Sequence, residues 1–338
     1  MNRKIGIIFG RENTFPAAVI ERINGMRVHG VTAEAIKLGA VKMAEPSGYH
    51  VIIDRISHDI PFYRAYLKNA VLTGTIVINN PFWCAADDKF FNCALATKLG
   101  VATPRTVILP HRAHPPGTTA QSMLNLIYPL DWDAIFRYIG FPAFLKPHTG
   151  FGGKNVYKVH TPDEFFHYYN QTGSMCMALQ SAVEFEKYFR CYVIGQENVH
   201  VMRYEPGAPS RERYVKNAAP AAPALHKQLV NDALTLCRAL GYDLNTVEFA
   251  VHAGVPFVID SLNFAPDADL NSVGKDHFDW VVAAVAEFVV RKALSRHVPA
   301  HELRWASFLS GDKAGTPSPS DSHAANTDKR RSGARISR

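Results

Sequence analysis

Short apolar runs alternate with amphipathic segments through the first hundred residues. The runs at 4–10, 49–56 and 74–80 predict buried strands. Segments at 15–24, 61–70 and 87–99 predict the helices between and after them. This alternation is typical of an open parallel sheet with helices packed against it. We therefore expect residues 1–104 to form an N-terminal parallel α/β domain.

The hydrophobic pattern changes after residue 105. A strand is predicted at 106–110, a short helix at 132–139, and two strands on either side of a glycine-rich turn between 144 and 159. Thr161, with Glu164 three residues later, predicts a capping box that begins another helix. A strand at 177–183 follows. We expect residues 105–183 to form a second, smaller lobe.

Alternating strands dominate the third section of the chain. Strands are predicted at 189–195 and 198–205, a helix at 225–240, a hairpin at 245–263 and a last helix at about 277–294. We expect residues 184–300 to form a third, mainly antiparallel lobe. Residues 301–338 end in a stretch rich in Ser, Pro, Gly and basic side chains, so we expect them to be disordered. The predicted fold class is mixed α/β and α+β.

Charge and cysteine content narrow the function classes. The formal net charge is +7, but residues 311–338 hold six of the basic and three of the acidic side chains, so the rest of the chain is only mildly basic. This argues against a nucleic-acid partner and suits a small anion. Five cysteines without a CxxC pair argue against disulfides and zinc.

The apolar runs are too short for a signal peptide or a membrane span. We therefore expect a cytoplasmic protein without a membrane partner, and we leave a homo-oligomer open.

Two carboxylates fall on one face of the hairpin at 245–263. A three-residue turn at 253–255 would place Glu248 opposite Asp260, with Phe257 and Ile259 on the apolar face. Directly opposed acids repel each other. A divalent cation such as Mg²⁺ would offset the repulsion, because it is held by carboxylates and phosphates. A solvated face on which two acids happen to meet explains the pattern equally well.

A glycine-rich turn follows a lysine at the end of a predicted strand. Lys146 precedes a turn that contains Gly150, Gly152, Gly153 and Lys154. Glycines let backbone N–H groups approach phosphate oxygens, and lysine adds a positive charge. Asn155 breaks both simple phosphate-binding motifs, GxxxxGK[ST] and GxGxxG. By itself such a turn is more often an ordinary hairpin turn.

Taken in order, these segments resemble the ATP-grasp superfamily. The resemblance is to its carboxylate–amine ligases, such as glutathione synthetases and the ligases that add glutamate to a ribosomal protein. It rests on INNPFWCAADDKFFNCALATKLGVATPRT, IGFPAFLKPHTGFGGKNVYKV, MALQSAVEF, FRCYVIG and VEFAVHAGVPFVIDSLN. These stretches cover the chain from about residue 77 to residue 294. The fold that it implies has a parallel pre-ATP-grasp domain and two lobes that enclose a nucleotide.

The resemblance also implies a reaction. ATP phosphorylates a small-molecule or peptide carboxylate, and an amine displaces phosphate from the acyl-phosphate to form an amide. The implied cofactors are ATP and Mg²⁺, with Mn²⁺ as an alternative metal. The implied nucleotide-binding residues are Lys89, Lys146, Gly150, Gly152, Gly153, Lys154, Gln180, Ser181 and Val183. The implied metal ligands are Glu248, Asp260 and Asn263, and the implied catalytic residues are Arg190, Arg203 and Asn217.

The chain departs from the family pattern at two positions. The family has E-x-N on its last strand, whereas Asp260 and Asn263 are separated by two residues here. A β-bulge could restore the geometry, or Asp267 or Asp269 could take part. Tyr188 stands where the family often has an acidic residue. The altered hairpin leaves a non-catalytic nucleotide-binding protein open as an alternative. A small-molecule kinase with the same nucleotide site is a second alternative. We interpret Arg211 and Arg213 as surface residues.

Overall fold

The computed structural model describes residues 3–83, 88–149, 154–209, 211–263 and 265–295, and every structural statement below refers to these residues. They form three four-stranded sheets, each drawn from one continuous part of the chain. The tail at 301–338, for which we predict disorder, lies outside the described residues. The lobe boundaries at 104, 183 and 300 stay predictions.

The first sheet is parallel, as the sequence predicts, with the strand order β2-β1-β3-β4. Its elements are β1 (Arg3–Ile8), α1 (Phe15–Gly25), β2 (Val31–Ala35), β3 (Val51–Asp54), α2 (Pro61–Leu72) and β4 (Ile76–Ile78). Strand β2 is not predicted from the sequence. This edge strand pairs only with β1, and its five residues alternate between buried and exposed without forming an apolar run.

The second sheet is antiparallel, with the order β5-β8-β6-β7. Its segment contains α3 (Lys89–Lys98), β5 (Thr106–Leu109), α4 (Trp132–Ile139), β6 (Ala143–Pro147), β7 (Tyr157–Val159), α5 (Pro162–Tyr169) and β8 (Met177–Ser181). Aromatic rings of α4 and α5 pack against one face, with Phe165 in contact with Trp132 and Phe136. Thr161 caps α5 through the Glu164 N–H group, as predicted.

The third sheet is antiparallel, with the order β10-β9-β11-β12. The elements of this segment are β9 (Lys187–Ile194), β10 (Asn198–Arg203), α6 (Pro223–Leu240), β11 (Leu244–His252), β12 (Val255–Asp260), α7 (Leu270–Val273) and α8 (Lys275–Leu294). Helix α6 covers one face, where Leu229 and Leu236 share a core with Val247 and Phe249.

The last helix joins the first sheet to the third. Val281 and Val289 of α8 belong to a single apolar core with Ile5 of β1 and Tyr192 of β9. At the carboxyl edge of the first sheet, the Arg55 guanidinium also donates a hydrogen bond of 2.6 Å to the Pro266 carbonyl. The N-terminal sheet is therefore packed onto the segment that follows β12. No described helix is long and apolar enough to cross a membrane.

Candidate functional site

The β11–β12 hairpin brings Glu248 and Asp260 directly opposite each other, as predicted. The predicted three-residue turn is wrong, because His252 pairs with Val255 and leaves a two-residue turn at Ala253 and Gly254. Both turn residues have positive φ, 48° and 78°, which suits the twist of a tight hairpin.

A β-bulge next to Glu248 restores the pairing of the two acids. The register shifts between Glu248 and Phe249, so that Val258 lies opposite Phe249 and Ile259 is the extra residue. The prediction that Phe257 and Ile259 line the core with Phe249 is therefore wrong. Val258 takes this position and is 4% exposed.

The carboxylate of Glu248 is held on both of its oxygens. The Tyr188 hydroxyl donates a hydrogen bond of 2.8 Å to Oε2, and Oε1 lies 3.4 Å from Nε of Arg190. Burial raises the pKa of Glu248, and so does the negative charge of Asp260. The positive charge of Arg190 and the Tyr188 hydrogen bond oppose this shift. Arg190 thus offsets part of the repulsion between the two acids.

Asn263 lies just beyond the end of β12. Its backbone N–H donates to the side-chain oxygen of Asn245 at 2.7 Å, while the Leu262 N–H donates to the Asp260 carboxylate at 3.1 Å. The described residues contain no group of three or more His, Cys, Asp and Glu side chains that could hold a metal. A cation at this hairpin would therefore rely on two carboxylates, with Asn263 or phosphate oxygens as further ligands.

Lys146 is the penultimate residue of β6, and it is buried, with 8% of its surface exposed. Its Nζ donates a hydrogen bond of 2.8 Å to Oε1 of Gln180. Burial lowers the pKa of Lys146, and the negative charge of Asp260 opposes this effect. The same lysine lines a small pocket of about 10 Å³ together with Lys89 and Asp260. Two predicted phosphate contacts and one predicted metal ligand therefore face a common space.

The backbone joins the helix that carries Lys89 to the strand end that carries Lys146. Lys89 is the first residue of α3, and its N–H donates to the His148 carbonyl at 2.9 Å. Asp88 caps the helix by accepting from the Phe91 N–H at 2.6 Å. Both lysines are thus positioned by regular structure rather than by loops.

The side chain of Gln180 makes a contact that the sequence did not suggest. The family resemblance implies that Gln180, Ser181 and Val183 bind the nucleotide. However, β8 is an inner strand, and the N–H groups of Ser181 and Ala182 already donate to the carbonyls of Arg105 and Pro142. Val183 lies beyond the strand and packs against the main core. It is the side chain of Gln180 that reaches the site, by accepting from Lys146.

The glycine-rich turn after Lys146 is described only in part. Gly150, Gly152 and Gly153 lie outside the described residues. Lys154, which follows them, is described as an exposed turn residue.

The structure separates the three predicted catalytic residues. Arg190 is 6% exposed and donates to the Tyr214 hydroxyl at 2.8 Å. Arg203 pairs with Phe189 and stacks on its ring, which places it on the opposite face of the sheet from Arg190 and Glu248. Asn217 is an exposed loop residue with positive φ.

Sequence reasoning missed several residues around Glu248. Tyr188 and Tyr214 contact Glu248 and Arg190, respectively. Arg213, interpreted as a surface residue, is partly buried, and its positive charge lowers the pKa of Glu248. Strand parity could have found Tyr188, because it lies two residues before Arg190 on the same face of β9.

Comparisons with known proteins point to one fold. No protein-family model matches the chain. A segment of 127 residues is 28% identical to human mitochondrial pyruvate carboxylase. The match covers 33% of this chain but only 11% of that protein. The chain thus spans about a tenth of that relative's length.

Solved structures match over most of their length. The RimK domain ATP-grasp protein from Sphaerobacter thermophilus has a TM-score of 0.61 at 18% identity and covers 85% of this chain and 99% of its own. D-alanine–D-alanine ligase from Bacillus anthracis, complexed with ATP, has a TM-score of 0.60 at 13% identity. The match covers 87% of this chain and 97% of the ligase chain. The ATP-grasp ligase PsnB, complexed with a minimal precursor, Mg and ADP, has a TM-score of 0.58 at 13% identity. The match covers 86% of this chain and 98% of the PsnB chain. The chain therefore has the ATP-grasp fold that its sequence resembles.

Proposed function

We propose that this protein is an ATP- and Mg²⁺-dependent ligase that joins a carboxylate to an amine through an acyl-phosphate, with release of ADP and phosphate. The observation that carries the proposal is the pocket that Lys89, Lys146 and Asp260 share. Asp260 is also the residue that lies opposite Glu248 in the hairpin. Two ammonium groups and two carboxylates in this arrangement suit a metal-bound polyphosphate.

The two lysines would hold the phosphates of ATP. Lys146 is almost buried and already has Gln180 as a partner, so its ammonium group is held in place before a nucleotide binds. Phosphoryl transfer depends mainly on positioning and on neutralising charge, rather than on a covalent protein group. A fixed ammonium at the end of a strand meets both needs.

The hairpin fits a hard divalent cation. Opposed carboxylates supply the oxygen ligands that Mg²⁺ prefers, and their repulsion without a cation is offset only in part by Arg190. Glu248 and Asp260 would hold the ion, with Asn263 as the proposed third protein ligand. When bound, Mg²⁺ would neutralise charge on the phosphates.

The structure changes the roles that we propose for the two arginines. Arg190 is enclosed by Tyr204 and Tyr214 and paired with Glu248, so we assign it to offsetting the charge of the two acids rather than to direct substrate contact. Arg203 lies on the other sheet face, and we no longer propose it as a catalytic residue. Asn217 stays a predicted contact on an exposed loop.

The solved neighbours suggest which substrates to test first. One is named for joining two D-alanine molecules, and PsnB was crystallised with its precursor peptide. At 13% identity they show a shared fold. We propose amino acids or peptides as the carboxylate and amine substrates of this chain on their example.

The test separates ligase, kinase and binding protein. The protein is incubated with ATP, Mg²⁺ and pools of amino acids and short peptides, and ADP, phosphate and new masses are followed. We expect phosphate release that requires a carboxylate, and hydroxylamine in place of the amine should give a hydroxamate. A stable phosphorylated product would support a kinase instead. Tight ATP binding without turnover in any pool would support a nucleotide-binding protein.

A further inference from the structure

The side chain of Tyr188 contacts Glu248 across two neighbouring strands. In the β9–β11 register, Glu248 lies opposite Arg190, and Tyr188 lies opposite Ala250. Tyr188 and Glu248 are therefore diagonal neighbours on one sheet face, within reach of a long side chain. Since Ala250 is small, it leaves room for the Tyr188 ring to lean towards Glu248. The hydroxyl then donates to Oε2 at 2.8 Å.

The other side of the carboxylate faces a guanidinium group that is fixed in place. Arg190 donates to Tyr214 at 2.8 Å, and its guanidinium lies over the rings of Tyr204 and Tyr214 at 5.2 and 5.8 Å. Its Nε stays 3.4 Å from Oε1 of Glu248, longer than the 2.7–2.9 Å typical of a charge-assisted hydrogen bond. The shorter contact of Glu248 is the one to Tyr188. Nε of Arg190 also donates to the Thr246 hydroxyl at 3.3 Å, so the carboxylate of Glu248 has its stronger contact with Tyr188.

We infer that Tyr188 is a positioning residue that keeps the Glu248 carboxylate turned towards Asp260 for cation binding. This inference rests on the proposed function, because it requires a cation at the hairpin. Without the hydroxyl, the carboxylate can rotate closer to the positive charge of Arg190, which withdraws it from the cation.

Two variants separate positioning from a general loss of structure. Tyr188→Phe removes only the hydroxyl that contacts Glu248. Tyr169→Phe is the matched control, since it also removes a buried hydroxyl, one that donates to the Pro110 carbonyl at 2.7 Å in the second sheet. Both variants lose one hydrogen bond, but only the first changes a contact of the hairpin carboxylates.

The measurement is the affinity for Mn²⁺, added alone and with ADP, from the electron paramagnetic resonance signal of the free ion. ADP affinity in EDTA is measured by calorimetry as a metal-free reference. Loss of a group that orients a metal ligand weakens metal binding by about 10–100-fold in known sites. We expect about tenfold weaker Mn²⁺ binding for Tyr188→Phe, with metal-free ADP affinity unchanged, and no change for Tyr169→Phe.

The outcomes distinguish this inference from the proposed function. Mn²⁺ affinity within twofold of wild type in Tyr188→Phe would overturn the positioning role and leave the ligase proposal intact. An equal loss of affinity in both variants would show a general structural effect and would also overturn it. If wild-type protein binds no Mn²⁺ with or without ADP, the cation site itself is wrong, and the inference fails with it.

Discussion

Replacement of Arg190 tests whether this arginine offsets the repulsion between Glu248 and Asp260. Arg190→Met keeps an apolar side chain between Tyr204 and Tyr214 but removes the charge. Opposed residues on antiparallel strands have Cβ atoms about 5 Å apart. At an effective dielectric constant of about 20, two unit charges at that distance repel by about 3 kcal/mol. Because Arg190 offsets only part of this repulsion, we expect Arg190→Met to lower the free energy of unfolding by at most about 3 kcal/mol in the absence of a divalent cation.

A double-mutant cycle isolates the charge term from lost packing. Urea unfolding is measured at pH 8 in EDTA for Arg190→Met, Glu248→Gln and the combined variant. Because the combined variant has no Glu248 charge to repel Asp260, it should recover most of the stability that Arg190→Met loses. Added Mg²⁺ should likewise raise the stability of Arg190→Met. A coupling energy below about 0.5 kcal/mol, the usual limit for independent sites, would refute the reasoning.

Three further predictions test other parts of the molecule. Lys146→Met should weaken ATP binding at least tenfold, measured by calorimetry, and unchanged ATP affinity would contradict the nucleotide site. The melting temperature should not fall, because the substitution removes a buried charge. Burial, together with the nearby charge of His277, lowers the pKa of His200 from 6.5 to about 4. The stability that depends on neutral His200 is therefore fully present above pH 6.5 and is lost as the pH falls towards 4. His200→Phe should therefore remove about 2 kcal/mol of the acid-induced loss in unfolding free energy, and a pH profile parallel to that of wild type would refute this. Phe165→Ala should cost about 3–5 kcal/mol, measured by urea unfolding, because Phe165 is fully buried among the rings of α4 and α5; a loss below about 1 kcal/mol would contradict that packing.

Most of the strands and helices could be predicted from local pattern. Helix α4 is predicted at its observed bounds, and the parallel first sheet follows from alternating apolar strands and helices. The missed strand β2 has no apolar run, because an edge strand with one exposed side buries only alternate residues. The observed departures thus occur where burial is partial and the pattern is weak.

The hairpin shows how far strand parity can go. Parity predicts that Glu248 faces Asp260, but it does so through the wrong turn length. Two errors cancel, since the turn is one residue shorter than predicted and the bulge at Ile259 adds one residue back. A bulge depends on local backbone geometry and on packing against Phe249, so alternation alone cannot predict it.

By itself, the sequence determined the order of strands and helices, the lysine before the glycine-rich turn, and the two acids of the hairpin, because these depend on neighbours close in the chain. Only the tertiary structure decided which of these residues meet. Lys89, Lys146 and Asp260 share a pocket, Gln180 contacts Lys146 through its side chain, and Arg203 lies on the other sheet face. Such contacts join residues far apart in sequence, and they depend on how sheets pack and strands register rather than on local periodicity.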